Sequence, residues 1–150
     1  MIHGQTVVAW CPTLKIGEII AIDDVSAKNP MLKSIMTMGV KDYHTDIVTT
    51  EEAKELLRKP SDQNRLLILK LPVLLQEIKE EIAGCEEIIL GNLAKRADTP
   101  YNVPGAAGMF YLSEEDVNVI DQMVKDGITV KFQQMPNTAI TTWETFKKSI

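Results

Sequence analysis

The segment IHGQ at residues 2–5 carries the strongest chemical signal in the sequence, because it places His3 directly ahead of a predicted helix start. Backbone N–H groups in the first turn of a helix have no partner within the helix and attract anions such as phosphate. A neutral imidazole is a competent nucleophile near pH 7, since its unperturbed pKa is about 6.5. The pattern indicates a phosphate site in which His3 could carry a phosphoryl group, and a plain surface histidine is the alternative.

Two pairs of charged residues could assist such a site. Asp23 and Asp24 follow a predicted buried strand, where they could orient His3 or simply cap the next turn of the chain. Lys95 and Arg96 could neutralise a phosphate or meet a donor protein, although exposed loop cations without a function are common. Both pairs are therefore candidate site residues with a structural alternative.

Other chemistries find less support. His44, the second histidine, lies in a strand-like segment and is expected to be structural or on the surface. No pair drawn from the two histidines and from Cys11 and Cys85 has the spacing of zinc ligands, so we expect no metal. Neither G-x-G-x-x-G nor G-x-x-x-x-G-K-[ST] follows a predicted strand, which argues against a nucleotide-binding domain.

The composition predicts one globular domain over residues 1–150. Hydrophobic residues make up 45% of the 150 residues and charged residues 25%, and a chain of this length can bury a core. A net charge of −5 argues against a nucleic-acid partner. The apolar runs are too short to span a bilayer, and the first residues lack the pattern of a signal peptide. We therefore expect a cytoplasmic protein with reduced cysteines.

Short apolar runs alternate with helical patterns along the chain. Predicted strands occupy 18–23, 43–48, 65–71, 87–90, 109–112 and 128–133, and predicted helices 30–39, 49–58, 72–84, 113–127 and 143–148. The long irregular stretch 91–108 is typical of functional or disordered loops. This order predicts an α/β fold with an open, mostly parallel sheet, helices on both faces and a binding site at the carboxyl ends of the strands.

Some finer expectations follow from the same patterns. The strand at 128–133 alternates apolar and polar residues, so it should have one wet face and lie near a sheet edge. Met31, Met36 and Met38 are interpreted as core or gap-filling residues. The acids that begin the helix after Ser113 are interpreted as a solvated cap.

Several motifs, in order along nearly the whole chain, resemble the IIB subunit of the mannose/fructose/sorbose family of the sugar phosphotransferase system. No single motif is diagnostic, but their order and spacing together are fairly specific. The motifs are IHGQ-x-V-x-x-W at 2–10, IIAIDD-x-x-A-x-NP at 19–30, Lys70 with Pro72, GN-x-x-KR at 91–96, YLSEED at 111–116, and DGITV followed by QMP within 126–136.

The resemblance implies a phosphotransferase that works as a phosphocarrier. In the family, a phosphorylated IIA subunit passes its phosphoryl group to the IIB histidine, which matches His3 here, and IIB gives it to a sugar that arrives through the membrane subunits IIC and IID. It implies no nucleotide, metal or other cofactor, and a cytoplasmic protein held at the membrane through IIC and IID. Family members often pair, so a homodimer is left open. The matching positions add Lys70 and Asn92 to the candidate phosphate or partner contacts, together with the backbone of Gly4, Gln5 and Thr6 at the helix start.

This chain departs from the family pattern at its start. The family begins with a strand and an Arg-x-Asp-Asp-Arg-Leu stretch before IHGQ, whereas here Met1 directly precedes the motif. We expect that the true start lies upstream, and that loss of this strand would leave its neighbours unpaired. Pro12 should shorten or kink the first helix, and Leu71 replaces a residue that is often small and polar.

The missing segment raises an alternative function from another class. Without the family's arginine and aspartate, the chain could be a truncated, non-catalytic interaction or regulatory protein that binds IIA-type partners. The intact IHGQ segment favours the phosphocarrier. Replacing His3 with alanine would separate the two hypotheses, because only a phosphocarrier should lose activity while keeping its fold. The sequence does not identify the sugar, because selectivity in the family belongs largely to the membrane subunits.

Overall fold

The computed structural model describes residues 4–103, 106 and 108–150, and for residues 4–6 it describes the backbone only. His3 lies outside the described residues. The chain forms two compact units, Met1–Lys70 and Leu71–Ile150. The elements, in chain order, are α1 (Gly4–Leu14), β1 (Ile16–Ile22), α2 (Asp24–Ala27), α3 (Pro30–Met38), β2 (His44–Val48), α4 (Thr50–Arg58), β3 (Asn64–Leu69), a 3₁₀ helix (Pro72–Ile78), β4 (Glu87–Leu90), β5 (Tyr101–Asn102), β6 (Tyr111–Leu112), α5 (Glu114–Lys125), β7 (Thr129–Phe132), β8 (Thr141–Thr142) and α6 (Trp143–Lys148).

The first unit is built around β1, which pairs in parallel with β2 on one side and β3 on the other. Its last four residues, Ile19 to Ile22, are all buried, as expected for a central parallel strand covered on both faces. Val7 and Cys11 of α1 pack with Ile19 in one apolar cluster. Both edges of β1 are hydrogen-bonded, whereas among the described strands β3 pairs with β1 alone and β4 pairs with β7 alone. The expectation that a missing strand would leave its neighbours unpaired stays a prediction.

The helices α3 and α4 of the first unit begin directly after polar residues that cap their first turns. Asn29 accepts hydrogen bonds from the backbone of Met31 and Leu32, at 3.1 and 3.2 Å, and Pro30 occupies the first helical position. Thr49 and Glu52 form a capping box at the start of α4, where a helix is predicted from residue 49. The helix α1 continues through Pro12 to Leu14, so the expected early stop is absent there.

Met31 and Met38 of α3 are not core residues, which corrects the interpretation from sequence for these two, whereas Met36 is half-buried. Met31 and Met38 are 72% and 71% exposed, and α3 has no buried residue. The pattern misled because methionine is common both in cores and on adaptable binding surfaces.

The second unit has its own sheet and core. β7 lies between β4, to which it is parallel, and β8, to which it is antiparallel. β7 is thus one strand from the edge that the two-residue β8 forms, which agrees with the predicted position near a sheet edge. The predicted alternation is also present, since Val130 and Phe132 are buried and Thr129 is exposed. Phe132 on β7 is the centre of an aromatic cluster, with ring-centroid distances between 5.3 and 5.7 Å to its neighbours Phe110, Trp143 and Phe146.

Residues 72–84 do not form the predicted α-helix. Pro72, Leu75 and Ile78 are the buried residues of a 3₁₀ helix, and their spacing of three matches its three residues per turn. In the stretch 91–108, β5 pairs with β6 and Leu93 bridges to Phe110, so part of this loop is a hairpin.

The α/β class is confirmed, since the three longest strand pairings among the described residues are parallel. The assignment of residues 1–150 to one domain stays a prediction.

Replacing Phe132 with alanine should destabilise the protein by about 3–5 kcal/mol, because it removes a ring that is 1% exposed and contacts three others. The measurement is the free energy of unfolding in urea. Ile140→Ala is the matched control, since Ile140 is 53% exposed and its truncation should change stability by less than about 0.5 kcal/mol. Similar losses in the two variants would contradict this account of the core.

Candidate functional site

The carboxyl ends of three parallel strands bring candidate residues of the first unit to one edge of the sheet. Ile22 of β1 is in register with Val48 of β2 and with Leu69 of β3. The residues that follow these strand ends, 23–24, 49–50 and 70, therefore lie side by side, and we call this group the carboxyl edge. Ligands of open α/β sheets bind at such an edge.

Asp23 holds the turn into α2. Its Oδ1 accepts hydrogen bonds from the backbone N–H groups of Val25 and Ser26, at 3.2 and 3.3 Å, and its Oδ2 accepts one from Ser26 Oγ at 2.9 Å. Both carboxylate oxygens are thus used by the chain itself. The capping role, which was one of two hypotheses from sequence, is confirmed.

The same contacts affect the ionisation of Asp23. Burial alone would raise the pKa of its carboxyl, but the hydrogen bonds from Ser26 and Val25 and the charge of Lys70 outweigh burial and lower the pKa below its ordinary value. Asp23 is therefore an ionised, hydrogen-bonded group near neutral pH, which makes it a poor proton acceptor in catalysis.

Asp24 ties two loops of the carboxyl edge together. Its Oδ1 accepts a hydrogen bond from the backbone N–H of Thr50 at 2.8 Å and a longer one from Thr50 Oγ1 at 3.4 Å. A carboxylate of the β1–α2 turn thus binds an N–H group in the first turn of α4, where the helix dipole favours a negative charge. Asp24 holds the positions of both loops at once.

Lys70 is the candidate cation of this edge. It follows the last residue of β3 directly, and its side chain is exposed. It lies close enough to Asp23 to affect the ionisation of that carboxylate. Lys70 is therefore the group in the first unit that is positioned to offer a positive charge to an incoming anion.

The first turn of α1 points toward this carboxyl edge. Only Lys15, at a φ of 54°, separates α1 from β1, so the helix folds back along the strand. Eleven residues of helix rise about 16 Å, which carries Gly4 past the middle of a seven-residue strand. The backbone N–H groups of residues 4–6 belong to this turn. Phosphate contacts by Gly4, Gln5 and Thr6 stay predictions.

The second unit places its candidates in the loop after β4. Asn92 and Lys95 are exposed. Arg96, in contrast, is anchored: its Nη2 donates to Asp116 Oδ2 at 2.6 Å, and its backbone N–H donates to Thr99 Oγ1 at 3.0 Å. The Arg96 side chain is only 25% exposed. The contacts of Arg96 favour a structural role, whereas Asn92 and Lys95 stay free to meet a ligand or a partner.

Asp116 is the residue of this loop that sequence reasoning missed. It is completely buried, so the interpretation of the acids after Ser113 as a solvated cap is wrong at this position. Its Oδ2 also accepts the backbone N–H of Ser113 at 3.0 Å, as part of a capping box. The S-x-x-D pattern could have indicated the cap, but no local signal shows that the same carboxylate meets an arginine twenty residues away.

Other site types find no support in the described part of the chain. No group of three or more histidine, cysteine, aspartate or glutamate residues could hold a metal ion there. In the same part of the chain, no helix combines the length and the apolar character needed to cross a membrane. His44 is exposed on β2 and meets Asp46 at 3.1 Å, as expected for a surface histidine.

Comparisons with known proteins agree with this architecture. The family model of the PTS system sorbose subfamily IIB component, in which PTS denotes the sugar phosphotransferase system, matches residues 1–149. A relative from Escherichia coli K12, N-acetylgalactosamine-specific phosphotransferase enzyme IIB component 1, is 20% identical over 139 residues, covering 91% of this chain and 85% of that protein.

Two solved structures show the same fold. The crystal structure of the N-acetylgalactosamine-specific IIB component 1 from Escherichia coli has a TM-score of 0.83 at 19% identity, covering 94% of this chain and 92% of that chain. The IIBSor domain of the sorbose permease from Klebsiella pneumoniae has a TM-score of 0.82 at 15% identity, covering 99% of this chain and 91% of that chain.

Because the family model spans nearly the whole length, the chain belongs to the sorbose subfamily of PTS IIB components. This family consists of phosphotransferase components of sugar uptake systems, and the resemblance read from the motifs is confirmed.

Replacing Arg96 with methionine should destabilise the protein by about 3 kcal/mol, because it leaves the buried carboxylate of Asp116 without its cation. Urea unfolding measures the loss. Lys95→Met is the matched control from the same loop, and we expect a change below about 0.5 kcal/mol because Lys95 is exposed. If both variants were equally stable, the Arg96–Asp116 pair would not hold the loop.

The carboxyl of Asp23 should titrate below the ordinary aspartate range in an NMR pH titration. Ser26→Ala should raise this pKa the most and Lys70→Gln should raise it less, whereas Lys59→Gln should leave it unchanged. Since the folded-state pKa lies below the unfolded-state pKa, the stabilisation is present above the unfolded value and is lost as pH falls through the folded value. An Asp23 pKa at or above the ordinary range would contradict the capping geometry.

Proposed function

We propose that this IIB component is a phosphocarrier that accepts a phosphoryl group on His3 from the phosphohistidine of a IIA partner and passes it to a sugar. The observation that carries the proposal is the position of α1. This helix begins at Gly4, one residue after His3 in the sequence, and its first turn points toward the carboxyl edge that bears Lys70. N–H groups and a cation are the groups that a phosphate needs.

The proposed chemistry is two in-line displacements at phosphorus. In the first, a neutral nitrogen of His3 forms a bond to phosphorus while the bond to the donor's histidine nitrogen breaks. In the second, a sugar hydroxyl oxygen attacks the phosphorus, its proton is released, and the His3 nitrogen leaves. The phosphoryl group is carried covalently, so the proposal includes no nucleotide, metal or other cofactor.

The residues of the carboxyl edge have distinct roles in this proposal. The N–H groups of the first α1 turn and the ammonium of Lys70 stabilise the charge of the three phosphoryl oxygens. Asp23 and Asp24 are positioning residues, since their oxygens hold the turns after β1 and β2. Asn92 and Lys95, exposed in the loop after β4, are candidates for contact with the phosphoryl donor.

The proposed partners are a phosphorylated IIA subunit and the membrane subunits IIC and IID. The protein would then act at the cytoplasmic face of the membrane. The two relatives are named for different sugars, N-acetylgalactosamine and sorbose, so the proposal extends to a sugar as substrate class and no further.

Incubation with a phosphorylated IIA partner should add one acid-labile phosphoryl group to the wild-type chain, detected by intact mass and mapped to His3. His3→Ala should abolish the addition, whereas His44→Ala, which removes the exposed second histidine, should leave it unchanged. Circular dichroism of both variants verifies their folding. Phosphorylation of the His3→Ala variant would show that another residue carries the phosphoryl group, and no phosphorylation of the wild type would favour the non-catalytic interaction protein; either result would sink the proposal.

Substituting Lys70 with glutamine in the same assay tests whether the ammonium group of Lys70 takes part in phosphoryl transfer. The phosphorylation rate should fall by about tenfold or more if the ammonium stabilises the transferring group. The matched variant Lys59→Gln, which removes another exposed lysine of the first unit, should retain the wild-type rate. Equal rates in the two variants would remove Lys70 from the proposed site.

A further inference from the structure

The loop after β4, residues 91–99, is attached to the rest of the second unit at two points. At the first point Leu93 is buried, its backbone N–H donates to Met109 O at 2.8 Å, and its backbone oxygen accepts from the N–H of Tyr111 at 2.9 Å. Between the two points lie residues 94–95, which are both exposed. Side chains on a loop that is fixed at both ends are held in place before a ligand arrives, which lowers the entropic cost of binding.

The second point of attachment is Arg96. Its guanidinium donates to the completely buried Asp116 of α5, and its backbone N–H donates to Thr99 Oγ1. The hydroxyl of Thr99 in turn donates to Arg96 O at 2.7 Å, and Thr99 is also buried. Asp116 therefore holds the side chain of Arg96, Thr99 holds its backbone, and neither of the two is exposed to a ligand.

The burial of Asp116 has a cost that its own contacts do not fully offset. Its Oδ2 accepts from Arg96 and from the N–H of Ser113, whereas its Oδ1 has no hydrogen-bond partner among the described residues. A buried polar atom without a partner costs free energy, and a buried ion pair is often no more stabilising than apolar residues of similar volume. Stability alone is therefore a weak reason for this pair, whereas a fixed position of the loop is what the pair provides.

We propose that Asp116 and Thr99 are positioning residues for the phosphoryl donor, because they hold the loop that presents Asn92 and Lys95. This inference rests on the proposed function, in which these two exposed residues contact the IIA partner. Asp116 and Thr99 themselves touch neither the donor nor the reacting atoms. Their loss should therefore weaken recognition of the donor and leave the chemistry at His3 unchanged.

The test measures the phosphorylation rate of the full chain at increasing concentrations of a phosphorylated IIA partner. Asp116→Asn removes the charge of the carboxylate at nearly constant shape. It should raise the half-saturating donor concentration by about fivefold or more, while the maximal rate stays within about twofold of the wild type. Arg96 keeps its contact with the exposed Asp98, at 3.4 Å, so the loop should loosen and not unfold.

Asp121→Asn is the matched control for this variant. Asp121 also lies on α5 and also accepts from a cation, but that cation is Lys147, which lies outside the loop. Asp121→Asn should change the half-saturating concentration by less than about twofold. Urea unfolding verifies that both variants are folded, and amide exchange of residues 92–99 should become faster in Asp116→Asn alone.

Thr99→Val tests the other anchor without a change of charge. Valine has nearly the shape of threonine but cannot bond to the backbone of Arg96, so the half-saturating concentration should rise here as well. Thr99→Ser, which keeps the hydroxyl, should restore most of the wild-type value.

A double variant separates positioning from a general loss of stability. If Asp116 acts through the loop that presents Lys95, Asp116→Asn should matter less once Lys95 has been replaced with glutamine. Independent effects of the two substitutions, a loss confined to the maximal rate, or an equal response of Asp121→Asn would overturn the assignment. If His3 accepts no phosphate, the proposed function fails by itself, and calorimetric binding of the IIA partner tests the same variants. A wild type that binds no IIA partner would overturn this inference too.

Discussion

The parallel pairing of β1 with both β2 and β3 is the constraint on which the arrangement of the first unit depends. Because all three strands run in the same direction and Ile22 is in register with Val48 and Leu69, their carboxyl ends meet at one edge. Ile19 to Ile22 are buried on both faces of the sheet, so burial of this continuous apolar run holds β1 in the centre of the three strands. The polar residues after the strands are thus placed by the burial of the residues before them.

Carboxylates hold the loops that follow these strands. These contacts limit which side chains are still able to bind a ligand. Asp23 uses both carboxylate oxygens, and Asp24 its Oδ1, on backbone N–H and hydroxyl groups of the first unit, while in the second unit Oδ2 of the buried Asp116 accepts from Arg96. A carboxylate oxygen that accepts hydrogen bonds from the chain has less capacity left for a ligand. Charged residues next to strand ends are therefore not equivalent site candidates. The backbone N–H groups of α1 and the exposed Lys70 are better suited to contact a phosphate in the first unit.

Sequence reasoning predicted those elements whose signals are local. The starts of α4 at Thr49 and of α5 at Ser113 and the strand at 87–90 follow from residues within a few positions of each other. Sequence reasoning failed where residues far apart in the sequence determine the local structure. Residues 72–84 were predicted as an α-helix, although the buried residues of the 3₁₀ helix have a spacing of three, and β8 was not predicted beside β7. The burial of Asp116 depends on Arg96 across twenty positions, which no window of sequence contains.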